Sequence, residues 1–140
     1  MLFTLLATLF FALLASAAPF NNNAMKPHTR IVFSPQITNP KSNVTWLTGS
    51  THNVTWDTTK IPEEKRNLTG LILLGHAGNN SENLDIEHPL ATNFPIKDGT
   101  VAVTIPMNKE PRDDYFVVLF GDSGNTSEKF KLVKPASRVH

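Results

Sequence analysis

Two stretches share the letters NVTW ten positions apart, Asn43–Gly49 (NVTWLTG) and His52–Thr58 (HNVTWDT), and they set the tightest limit on the fold. Successive side chains of a strand point to opposite faces, so Val44 and Trp46 fall on one face and Asn43 and Thr45 on the other; Val54 and Trp56 oppose Asn53 and Thr55 in the same way. Asn43 and Asn53 each head an Asn-x-Thr acceptor, and a glycan needs solvent. The apolar faces are therefore the inward ones, and two unrelated constraints give one register.

The rest of the chain reads as strand and turn. In RIVFSPQIT, Ile31, Phe33, Pro35 and Ile37 share one parity, and the internal proline demands an edge position. LTGLILLG and YFVVLFG are apolar at both parities, as expected of central strands covered on both sides. TVAVTIP alternates through Val101, Val103 and Ile105, and EKFKLV sets Phe130 and Leu132 against Lys129 and Lys131. No stretch sustains a helical stripe, so the expected fold is all-β: an immunoglobulin- or fibronectin-like antiparallel β-sandwich of about seven strands, with a Greek-key barrel as the alternative. There is no cysteine, hence no disulfide, and the core must hold the domain by burial alone. Its expected members are Trp46, Val54, Trp56, Val103, Val118 and Phe120, each tryptophan also bringing an N–H that needs a partner.

The first 17 residues, MLFTLLATLFFALLASA, carry an apolar run from Leu2 to Leu14 followed by an A-x-A cleavage pattern. The run falls short of the roughly 20 residues that span a bilayer, so the reading is a cleaved signal peptide with no stable membrane anchor left behind. The chain then divides into the signal peptide (1–17), a flexible leader (18–29), the β-sandwich (30–134) and a short tail (135–140). Five Asn-x-Ser/Thr acceptors occur, at Asn43, Asn53, Asn67, Asn79 and Asn125, where chance predicts about two, which points to a glycosylating eukaryotic secretory route. With 13 basic against 12 acidic residues, no strong field favours nucleic acid or an anionic membrane.

Three motifs invite a chemical reading. Gly121-Asp122-Ser123-Gly124 has the letters around a trypsin-like nucleophile, but it follows a central strand and runs into Asn125, which suits a hairpin turn. Asp113 and Asp114 could pair with Asp122 as glycosidase carboxylates, yet an extended strand between them separates Asp114 from Asp122 by roughly 26 Å against the approximately 5–9.5 Å required. With Arg112 they read instead as a polar corner that starts a strand. The loop Glu82–Leu90 gathers Glu82, Asp85, Glu87 and His88, but without EF-hand, CxxC or HExxH spacing it reads as a solvated acidic loop. A copper site built on an amino-terminal histidine fails because the expected mature terminus is Ala18. Sugar stacking needs exposed rings, for which Tyr115, Phe94 and Phe20 are the candidates. No catalytic, cofactor-binding or metal-ligating residue is assigned.

The blocks TWLTGSTHNVTWDTTKIP (Thr45–Pro62), GLILLG (Gly70–Gly75), ENLDIEHPLATNFPIKDGTVAVTIP (Glu82–Pro106) and RDDYFVVLFGDSGNTSEKF (Arg112–Phe130) resemble, in order, the KRE/KNH-like amino-terminal domain of fungal cell-wall synthesis proteins, also known from Ser/Thr-rich GPI-anchored proteins. The likeness spans residues 32–133 and rests on Trp46, Gly49 and Trp56 together with the VVLFGDSGN block. It implies an extracellular immunoglobulin-like module connected with the fungal wall and β-1,6-glucan assembly, with no catalytic site to carry over. After Phe130 the sequence KLVKPASRVH offers neither a Ser/Thr-rich stalk nor a hydrophobic tail, so free secretion or noncovalent wall association is expected rather than a GPI anchor. The leading expectation is a secreted, N-glycosylated, non-enzymatic module whose partner is a wall polysaccharide or wall protein. A secreted carbohydrate-active or metal-dependent enzyme using Asp85 or Glu87, and an effector that binds a host protein, are the alternatives.

Overall fold

The computed structural model describes residues 33–137. The expected signal peptide and leader, Phe20, and the end of the tail lie outside the described residues. Those described form nine strands: β1 (Ile37–Asn39), β2 (Thr45–Leu47), β3 (Thr51–Trp56), β4 (Thr69–His76), β5 (Ala91–Pro95), β6 (Thr100–Thr104), β7 (Arg112–Phe120), β8 (Gly124–Thr126) and β9 (Phe130–Val133). They make a three-stranded sheet ordered β1-β3-β6 and a six-stranded sheet ordered β2-β9-β7-β4-β5, with β8 sharing the β9 side of β7. One apolar cluster draws Ile37, Val54, Trp56 and Val103 from the first sheet and Trp46, Ile72, Leu74, Val117, Leu119, Phe130 and Leu132 from the second. This is the expected cysteine-free immunoglobulin-like sandwich.

Two strands go beyond the expected seven, and both are short segments whose pairing is not written in their letters. β5 (ATNFP) carries a proline and holds Asn93 at a φ of 56°, beside a register shift against β4. β8 is the three residues GNT directly after the Gly121–Ser123 turn, held by Val118, Leu119 and Phe120 of β7. Among the described residues of the opening segment only Ile37–Asn39 is strand, although Phe33, Pro35 and Ile37 are buried in alternation with exposed Ser34, Gln36 and Thr38. Nor is every pair antiparallel: β2 runs parallel to β9 at the sheet edge.

That parallel pair follows from a change of sheet. The chain leaves β2 in the large sheet and enters β3 in the small one within Thr48–Ser50. There the Thr48 amide donates to the Val133 carbonyl, the Gly49 amide to Ile105, and the Ile105 amide back to Ser50. Gly49 takes a φ of 79°, a left-handed backbone that glycine adopts without a steric penalty.

Trp46 and Trp56 are each 4 % exposed, and Val54 and Val103 are buried with them, as the alternation requires. Val118 and Phe120 are placed differently. The inner face of β7 carries Tyr115, Val117 and Leu119, paired with His76, Leu74 and Ile72 of β4; Phe116, Val118 and Phe120 occupy the other face with Leu73 and Leu71. Val118 is buried, but outside the core cluster, and Phe120 is half-buried. A run that is apolar at both parities leaves its inner parity open, and only the pairing with β4 and β9 settles it.

The Tyr115 hydroxyl donates to the Glu110 carbonyl (2.8 Å), closing the corner between β6 and β7 as the tyrosine corner of this fold does. Val117, two residues on, stands where antibody-type domains place a cysteine. A disulfide typically contributes about 2–4 kcal/mol. One or two fully buried large aliphatic side chains, at roughly 1.5–3 kcal/mol each, supply as much.

Candidate functional site

One end of the sandwich gathers most of the described polar groups that invite chemistry. The β4–β5 connection turns back along β4, where the His76 amide donates to the Glu82 carbonyl and the Asp85 amide to the Leu74 carbonyl. Between it and the β6–β7 connection opens a cleft of about 270 Å³, lined by His76, Asn83, Asn108, Lys109, Arg112 and Tyr115 among others. The acidic loop and the Arg112–Asp114 corner, read separately from the sequence, therefore meet at one site.

Arg112 organises it. Its Nε and Nη2 donate to the two oxygens of Asp114 (2.7 and 2.9 Å), and Nη2 also reaches the Ala77 carbonyl (3.0 Å). His76 Nδ1 lies 2.9 Å from the same carbonyl, which fixes the proton on Nδ1, and its ring stands edge-on to Tyr115 at 5.8 Å. Asn83, at a φ of 47°, turns its amide inward to the carbonyls of His76, Gly78 and Ser81, pinning the loop. On the outer lip, Lys109 Nζ donates to Asp85 (2.7 Å), with His88 Nδ1 at 3.1 Å from the other carboxylate oxygen.

These pairings decide what the carboxylates can do. The hydrogen bond from Lys109, reinforced by His88, holds Asp85 below the usual carboxylate range against its partial burial. The Arg112 hydrogen bond does the same for Asp114 and raises the Arg112 guanidinium in return. Burial pushes the Tyr115 phenol up. A glycosidase acid needs a carboxyl raised toward neutrality by an apolar or like-charged environment, and these two are lowered by cations. Among the described residues, no three His, Asp or Glu side chains come together as a metal set. What lines the site is polar: the Arg112 guanidinium and the Lys109 ammonium, each held by a carboxylate, with Asn108 and Glu110 beside them.

The protease-like letters lie at the opposite end. Gly121–Ser123 joins β7 to β8 as a tight turn, with the Gly121 amide donating to the Ser123 carbonyl (3.2 Å) and Phe120 paired with Gly124. Asp122 is tied to Lys65 at 2.7 Å. The three described histidines are engaged elsewhere: His52 with Ser50, His76 with Ala77 and His88 with Asp85. Asp114 lies near the start of β7 and Asp122 follows its end, so the strand holds the carboxylates apart.

The aromatic candidates lie inside. Tyr115 and Phe94 are buried, Phe94 tilted against Trp56 at 5.4 Å, and the large apolar side chains exposed among the described residues are Leu47, Ile86 and Met107. Four acceptor asparagines, Asn43, Asn53, Asn67 and Asn79, are exposed; Asn125 is half-buried and donates its side-chain amide to the Pro35 carbonyl. Sequence reading missed His76, Asn83 and Lys109. Each is an isolated polar letter, and Lys109 meets Asp85 only because two loops 24 residues apart converge.

No curated protein and no solved structure matches the chain. A family model, the Kre9/KNH-like N-terminal Ig-like domain, matches residues 39–132, from the end of β1 into β9, which takes in both tryptophans, the Arg112 corner and the Gly121–Gly124 turn. That family is linked to fungal cell-wall β-glucan synthesis and is of a non-catalytic type. With a match over well above half its length and the sandwich the family describes, the chain belongs to the Kre9/KNH-like N-terminal Ig-like domain family.

Proposed function

We propose that this domain is a secreted, N-glycosylated wall module that binds without breaking bonds, and that its contact with wall glucan is made at the polar end, in the cleft between the β4–β5 and β6–β7 connections. The observation that carries the reading is the state of that cleft: its two cations, Arg112 and Lys109, are paired with the adjacent carboxylates of Asp114 and Asp85, and Asn83 ties the loop beside it to three carbonyls, so the lining groups are held by bonds within the protein. Sugar hydroxyls are recognised by such fixed pairs, and a site that needs no reordering loses little entropy on binding. With Tyr115 and Phe94 buried, recognition here runs through hydrogen bonds rather than through stacking on an aromatic platform.

Cosedimentation of the purified secreted protein with insoluble β-glucan tests the reading. The wild type is expected in the pellet, and the double variant Asn108→Ala/Lys109→Ala, which alters the cleft lip without touching the core, in the supernatant. Equal pelleting of both would remove the cleft from the account. Wild type left in solution with every wall fraction would remove the wall contact itself.

A further inference from the structure

A second hollow, of about 560 Å³, lies on the other face of the six-stranded sheet, between the turn Ala77–Glu82 and the β8–β9 connection. Phe116 lines it, with Glu82, Thr126, Ser127 and Lys129, and Asn79 stands at its edge. Asn79 heads an acceptor triplet with Ser81, is exposed, and sits with Asn80 at left-handed φ values of 54° and 55°, so that two successive residues turn the chain back at the hollow. The sheet face that leads into it is apolar: Leu73, Phe116 and Val118 are buried there, and Phe120 half-buried.

We infer that the glycan carried by Asn79 lies in this hollow against its polar rim, making it part of the folded domain rather than a solvent ornament. The inference rests on the secretory reading above. The Asn79 amide nitrogen loses a proton and bonds the anomeric carbon of the first N-acetylglucosamine, while the lipid-linked pyrophosphate supplied by the secretory apparatus leaves. A pyranose ring has an apolar C–H face and a hydroxyl rim. The hollow answers the hydroxyl rim with Glu82, Thr126 and Lys129, over a floor formed by the buried Phe116, and its volume lies within the roughly 300–1,000 Å³ of small-ligand clefts. Asn125 makes the contrast, because its amide nitrogen is already committed to Pro35.

The test uses the full chain made in a glycosylating yeast. Glycopeptide masses are expected to show Asn79 occupied. Removing the whole glycan from the folded protein with an amidase, or producing Asn79→Asp, which keeps a residue tolerant of a positive φ, is expected to lower Tm by about 4–8 °C and to speed amide exchange at Phe116–Val118. Trimming to a single N-acetylglucosamine should retain most of the stability, and Asn43→Asp and Asn67→Asp should shift Tm by less than about 1 °C. An empty Asn79 beside filled acceptors elsewhere overturns the inference and leaves the secretory reading standing. An occupied Asn79 whose removal changes neither Tm nor exchange also overturns it, and a chain with no acceptor filled overturns both.

Discussion

The two tryptophan-bearing runs differ by few letters and end in different sheets. Trp46, on β2, lies in the six-stranded sheet, stacked on His52 at 4.5 Å and tilted against Phe130 at 4.7 Å. Trp56, on β3, lies in the three-stranded sheet, tilted against Phe94, with its indole N–H donated to the Ile96 carbonyl at 2.8 Å. Local alternation sets which face each ring takes; the partner strand is set by what lies far away, Lys131–Val133 for β2 and Thr100–Thr104 for β3. The pair thus works as two pins, one from each sheet, with the Gly49 turn between them.

Substitutions tell the two pins apart. Trp56→Ala is expected to cost about 3–5 kcal/mol in urea unfolding, and Trp46→Ala the lower part of that range, because β2 is a three-residue edge strand. Equal losses would mean the two pins are equivalent. Gly49→Ala should cost about 1–2 kcal/mol through its positive φ. An added Cβ would also meet the Met107 sulfur, but Met107 is 66 % exposed and free to swing away, so the cost should be unchanged in a Met107→Ala background. Conversion to phenylalanine isolates the indole N–H: Trp56→Phe should be worse than Trp46→Phe by about 1 kcal/mol, since it removes the bond to the Ile96 carbonyl and leaves that oxygen the Gly99 amide alone.

A smaller effect belongs to Trp46 alone. Burial lowers the His52 pKa below its ordinary value of 6.5, so between the two values the unfolded chain binds more protons than the folded one. Its contribution is complete above about pH 6.5 and is lost as pH falls toward the folded pKa. The three lowered aspartates, Asp57, Asp85 and Asp114, act in a more acid window, losing their contribution as pH falls below the ordinary 3.8. Urea midpoints between pH 7.5 and 5 should therefore decline for the wild type and flatten in His52→Phe, which keeps a ring against Trp46. A wild-type curve already flat would show that His52 has no part in holding that pin.

What the sequence made legible follows the same division between local and distant causes. The inward faces of Trp46, Val54, Trp56 and Val103 could be read because period-2 alternation and exposed asparagines report on a residue's own surroundings. The inner parity of β7 could not, since YFVVLFG is apolar throughout, and Val117 and Leu119 are distinguished from Val118 and Phe120 only by pairing. β5 and β8 were hidden by turn-like letters that become strand only beside β4 and β7. At the polar end the Arg112–Asp114 corner was legible as neighbours in sequence, whereas its meeting with His76, Asn83 and the Lys109–Asp85 pair required two loops to converge.

The most direct test of binding without bond cleavage is the release of soluble reducing ends from wall β-glucan during prolonged incubation with pelleting, fully bound protein. The account predicts a trace indistinguishable from glucan alone, because Lys109 and Arg112 lower Asp85 and Asp114, whereas a glycosidase acid must be raised toward neutrality. A steady rise in reducing ends that disappears in Asp85→Asn or Glu87→Gln would contradict it.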